Sequence, residues 1–160
     1  MNFARFAGLA LLAAALPLAG CTGGNAPSET SADKSETGLE ITNARLVLPA
    51  VSGNPGAVYF NVENKGDRNV AIRSASVKGA SSAMMHEMAE WDGEMVMGEM
   101  GPPMLQPGDK VSFEPGGKHV MAFDLDSSLV AGGKTELTLT IAGGKSVTAE
   151  ADIKGPGDER

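Results

Sequence analysis

Cysteine is almost absent from this chain: its 160 residues contain one, Cys21. That excludes an intramolecular disulfide, a Cys-x-x-Cys redox pair and a cysteine zinc site. It also excludes a blue-copper electron-transfer centre, which needs a cysteine thiolate. Basic residues are outnumbered 13 to 20, for a formal net charge of −7, the wrong balance for a nucleic-acid partner. Aromatics make up only 4%. No segment shows sustained helical periodicity, and no repeat recurs at a fixed period. What is present points to turns: 21 glycines and 9 prolines, in a chain long enough for one domain plus extensions.

The first twenty residues read as an address. Arg5 supplies a positive start, and Phe6 to Leu18 is an apolar run interrupted by Pro17. This length suits a signal peptide and is too short to span a membrane as a helix. It ends in Leu18-Ala19-Gly20-Cys21, which resembles the bacterial lipobox. The resemblance implies cleavage after residue 20 and lipidation of Cys21. The competing reading is a soluble secreted protein with an incidental thiol. Thr22 follows the cysteine where an aspartate would signal inner-membrane retention, which favours the outer membrane of a Gram-negative cell. In a Gram-positive organism the same anchor implies the cell surface. Residues 21–38 hold no large apolar side chain, so they cannot offset the entropy of ordering and are expected to form a flexible tether. As a coil this tether spans roughly 23 Å. Residues 155–160 are expected to be a disordered tail.

Between them, 39–154 carries short alternating or β-branched runs at 39–48, 57–64, 69–77, 110–115, 119–125, 134–141 and 145–153, each bounded by turn signals. Gly143-Gly144 suits a two-residue hairpin turn, and 102–109 reads as loop. The pattern predicts an all-β antiparallel Greek-key sandwich or barrel of about seven to nine strands.

Apart from Met1, every methionine lies between positions 84 and 121, and so do both histidines, His86 and His119. The run 84–100, MMHEMAEWDGEMVMGEM, holds six methionines, one histidine and five carboxylates. A core filler would be scattered over many strands, so the clustering needs a local cause. Asp92-Gly93 is a strong hairpin signal. A two-residue turn there pairs Met88 with Met97 and Glu90 with Met95, and sets His86 diagonally from Met97. His119 and Met121 are two apart on another predicted strand, so they also share a face. Thioether sulfur is neutral and soft. With imidazole it favours Cu(I) over Mg²⁺ or Ca²⁺, whereas structural zinc would recruit cysteine, histidine or carboxylate.

His86, Met97 and the His119-Val120-Met121 segment are spaced as H-x10-M-x21-H-x-M, which resembles the signature of the periplasmic PCu(A)C copper chaperones. The surrounding HEM at 86–88, VM at 96–97 and the Gly-Gly ahead of HVM at 119–121 are similar too. The resemblance implies a cupredoxin-like β domain that binds one Cu(I) per chain through His86, Met97, His119 and Met121. It also implies delivery of copper to the CuA centre of cytochrome c oxidase subunit II, with a Sco-type thiol protein as a further partner. Met88 lies on the ligand face outside the signature and is a candidate auxiliary ligand. The extra methionines and the lipobox depart from the family pattern and leave the acceptor open.

Other readings remain. Methionine on a strand is most often core packing, and a lone histidine is most often a hydrogen-bonded surface residue. Met84, Met85, Met95, Met100 and Met104 read as apolar rim or core, and Trp91 as either a cover for the site or an exposed hairpin tip. A copper oxidase would need mainly nitrogen or oxygen ligands, and two histidines are few for that; no enzymatic activity is expected. Copper storage or resistance would use the same ligands. A metal-free β-sandwich interaction module would use the methionines as a sticky patch.

Overall fold

The computed structural model describes residues 36–158. The signal peptide, Cys21 and nearly all of the expected tether lie outside the described residues, as do 159 and 160. Ten strands and no helix make up what is described. They are β1 (Leu39–Val47), β2 (Gly56–Asn64), β3 (Val70–Val77), β4 (Ala80–Trp91), β5 (Glu94–Glu99), β6 (Met104–Leu105), β7 (Lys110–Phe113), β8 (His119–Leu125), β9 (Lys134–Ile141) and β10 (Ser146–Lys154).

Their order is β5-β4-β8-β2-β1-β10-β9-β3-β6, with β7 also beside β2. One edge of β2 serves two partners: Gly56 to Val58 pairs with β8, and Phe60 to Glu63 pairs with β7. The sheet is open and curls around a single apolar core that takes side chains from nearly every strand. β9 shows why such segments become strands. In KTELTLTI every second residue is buried, so one face packs while the other meets solvent. Phe60 and Phe113 stack at the β2–β7 junction with ring centroids 4.3 Å apart and planes 13° apart.

The all-β cupredoxin-like expectation holds, with two differences. The sheet is mixed, because Arg45 to Val47 of β1 runs parallel to Asp152 to Lys154 of β10. Alternation of apolar residues reports burial but not strand direction, so this pairing had no sequence signal. The tenth strand, β6, lies within the stretch read as loop and pairs Leu105 with Val70. Burial of Leu105 holds it there, since none of that side chain is exposed. The Gly143-Gly144 turn is one residue longer than expected: Ile141 N donates to Lys145 O, closing over Ala142, Gly143 and Gly144.

Asn64 is the polar hub of the core. It is fully buried, yet its Nδ2 donates to Arg68 O (2.7 Å) and Leu105 O (3.0 Å), and its Oδ1 accepts from Gly66 N (3.0 Å). Its backbone also bonds Asp109 O and Gly108 N. One side chain thus satisfies itself and pins two loops to the end of β2.

Candidate metal centre

β4 and β5 form a hairpin across Asp92 and Gly93, whose φ angles are 52° and 81°. Two positive φ values make the tight turn whose twist matches that of the flanking strands. Met88 pairs with Met97, Glu90 with Met95, and Trp91 with Glu94. His86 pairs with Glu99 and so stands diagonally from Met97, as the sequence predicts.

The other edge of β4 pairs with β8, and here residues distant in sequence meet. His86 lies directly opposite His119, and Met84 directly opposite Met121. Between these rows, Met85 and Val120 are buried and point into the core. Alternation therefore turns Met84, His86, Met88, His119, Met121, Met95 and Met97 to the outer face. Seven soft or intermediate donors from three adjacent strands share one surface.

A turn holds His119 in place. Gly117 N donates to Glu114 O, Glu114 N donates to Lys118 O, and Gly116 takes a φ of 78°. The Gly117 carbonyl then accepts from Met88 N at 3.3 Å and from His119 Nδ1 at 3.0 Å. A carbonyl only accepts, so Nδ1 carries hydrogen and the Nε2 of the neutral ring presents a lone pair. That Nε2 lies 3.3 Å from Met97 Sδ. In the neutral ring two lone pairs face each other, an arrangement a cation would relieve. The metal-free alternative is an imidazolium that donates at both nitrogens.

The His86 ring stands 6.0 Å from His119, centroid to centroid, at 58°. Its Nδ1 is buried and has no hydrogen-bond partner among the described residues. Metal–nitrogen bonds of about 2.0 Å put two rings sharing one ion at most roughly 6.4 Å apart. With a metal–sulfur bond of about 2.3 Å, the 3.3 Å Nε2–Sδ gap closes on an ion at an angle of about 100°. On these distances His119, Met97 and the facing His86 ring fit a shared soft ion. Among the described residues no three His, Cys, Asp or Glu side chains converge, so any such site depends on thioethers.

The remaining candidates divide. Met121 is half-buried and shares the face two residues beyond His119. Met88 is half-buried beside Met97. Met85 and Met100 are core, whereas Met95 and Met104 are exposed. Met84, read as rim or core, faces outward opposite Met121; only the β4–β8 pairing could reveal that. Trp91 is 78% exposed and lies on the ribbon face opposite Met97, so it does not cover the donors. Of the carboxylates, Glu87 forms an ion pair with Lys118 at 3.5 Å.

Similar proteins have the same architecture. The copper-bound PCuAC domain from PmoF2 superposes with a TM-score of 0.60 at 23% identity, covering 74% of this chain and 94% of that one. The apo PCuAC domain from PmoF1 gives 0.60 at 26%, covering 74% and 95%. CuI-DR1885 from Deinococcus radiodurans gives 0.56 at 20%, covering 82% and 87%. A relative described as "Putative lipoprotein Lxx21020", from Leifsonia xyli subsp. xyli, is 29% identical over 140 residues, 87% of this chain and 83% of that protein. Residues 39–153, the whole sheet from β1 almost to the end of β10, match the family described as "Putative lipoprotein LpqE-like", and the chain belongs to that family.

Proposed function

We propose that this protein is a lipid-anchored copper chaperone that binds one Cu(I) through His86, Met97, His119 and Met121, with Met88 as an auxiliary donor. The observation that carries the reading is His119: Nδ1 is held by Gly117 O, and Nε2 is 3.3 Å from Met97 Sδ. Support comes from His86 Nδ1 across the strand pair, which has no partner among the described residues. The likeness to PCuAC domains, one of them copper-bound, points the same way.

Copper is the cargo here, and the chain is a carrier with no reaction of its own. An open sheet face suits that task, because an acceptor can reach the ion from the solvent side. Met97 is half exposed on the outermost strand, where a neutral thioether can be displaced without moving a charge. A respiratory oxidase copper site, the CuA centre of cytochrome c oxidase subunit II, is the acceptor we favour, with a Sco-type thiol protein as a co-partner. Lipidation of Cys21 would hold the domain at the membrane, facing the periplasm or the cell surface.

The test is a Cu(I) titration under reductant against a competing chelator. A first equivalent should bind, with sulfur and nitrogen both visible at the copper K-edge. A spectrum without sulfur neighbours, or unchanged affinity in both His119→Ala and Met97→Leu, would overturn the reading. Transfer to the apo oxidase subunit tests the acceptor separately.

A further inference from the structure

Three successive rows cross the outer face of β4. Met84 pairs with Met121, His86 with His119, and Met88 with Met97. Methionine pairs therefore flank the histidine pair on both sides. The Met88 and Met97 row already has its histidine, since His119 Nε2 reaches over β4 to Met97 Sδ at 3.3 Å. That turns His119 away from its own strand neighbour Met121, which lies in the opposite direction along the sheet. Left beside Met121 are Met84, directly across from it, and His86, whose buried Nδ1 has no partner among the described residues.

From this arrangement we infer that the face holds a second Cu(I) position, built from Met84, Met121 and His86. The inference rests on the proposed copper function and adds a site to it. At one equivalent the ion takes both histidines and draws Met97 and Met121 to it. At two equivalents the ligands redistribute into two sets of three, His119 with Met97 and Met88, and His86 with Met84 and Met121. Two thioethers and one imidazole are a donor set that selects soft Cu(I), and three ligands leave room for an incoming donor. Rows two residues apart along a strand are separated by about 6.8 Å, so neither ion needs a bridging ligand. The Met84 side of the face is also a second exit: it lies toward the start of β4, away from the hairpin that carries Met97.

The experiment uses the full chain with Cys21→Ala, which removes the one thiol, and titrates it with Cu(I) under reductant against graded chelators. The parent should bind two equivalents, the second more weakly. Adding Met84→Leu, which keeps the side chain's bulk at a half-exposed position, should leave one equivalent. A parent that saturates at one equivalent, or a Met84→Leu protein that still binds two, overturns the second position and leaves the chaperone reading intact. A parent that binds none overturns both.

Discussion

His86 and His119 stand directly opposite each other on β4 and β8, 33 residues apart in sequence, with ring centroids 6.0 Å apart. The carbonyl of Gly117 fixes one ring, while the Nδ1 of the other is buried without a partner among the described residues. Preorganised on one side and unsatisfied on the other, the pair is the centre on which the copper reading turns.

Removing the fixed ring should therefore be severe. His119→Ala is expected to lower Cu(I) affinity by about 100-fold or more, beyond the 10–100-fold loss usual for an outer support of a metal ligand. His119→Gln keeps a polar group but no imidazole and should not rescue binding. Chelator competition measures both. Acid should weaken the wild-type site too, because imidazolium has no lone pair to give.

The hairpin tip can be separated from the core. Gly93 has a φ of 81°, and a Cβ at this position would meet nothing within 4 Å, so the backbone angle and not steric crowding demands glycine there. Gly93→Val should cost about 1–2 kcal/mol locally. Because no residue of β5 is buried, that cost should fall on hairpin order and copper affinity, with Tm changed little. Equal losses in Tm and affinity would argue that the hairpin folds as one unit with the core.

Asn64→Ala tests the opposite end of β2. It removes three side-chain hydrogen bonds and leaves Arg68 O, Leu105 O and Gly66 N to find other partners. A destabilisation of about 2–3 kcal/mol is expected from denaturant unfolding. Copper affinity of the folded fraction should not change.

Phe113→Ala deletes one of the two stacked rings in the core and should cost about 3–5 kcal/mol. Phe113→Leu should recover a large part of that loss, as volume is mostly restored. Equilibrium unfolding distinguishes the two.

A surface cluster sets a pH dependence. Lys65 at 3.0 Å and Lys110 at 3.2 Å flank Glu63. Hydrogen bonding to Lys65, with Lys110 and both charges adding to it, holds the Glu63 carboxyl below its ordinary value against a smaller opposing effect of burial. The unfolded chain then takes up its proton first as pH falls. Stability from this group is present above the ordinary carboxylate range and is lost as pH drops through the lowered folded value. Glu63→Gln should flatten the acid limb of Tm against pH, and added salt should shrink the difference.

Much of the site was legible locally. Asp92-Gly93 specifies its own turn, and a two-residue turn leaves one register, so the Met88–Met97 pair followed from sequence alone. Period-two alternation identified most strands, and the donor chemistry of methionine with histidine narrowed the metal. Sequence did not reveal β6, because a two-residue strand between prolines has no period to read and is held by Leu105 burial. Nor did it separate Met85 and Met100, which fill the core, from Met84, which does not.

What the sequence determined by itself is the inventory: a lone cysteine in a lipobox-like setting, an all-β domain, and soft donors confined to one window. Tertiary structure decided which donors meet. The β4–β8 pairing joins segments more than thirty residues apart, and no local rule sets its register. The buried row of Met85 and Val120 sets it, since a slip of one residue would turn these side chains to solvent and the histidines inward. The same constraint puts Met84 across from Met121, and so core packing on one face fixes the arrangement of the metal-binding candidates on the other.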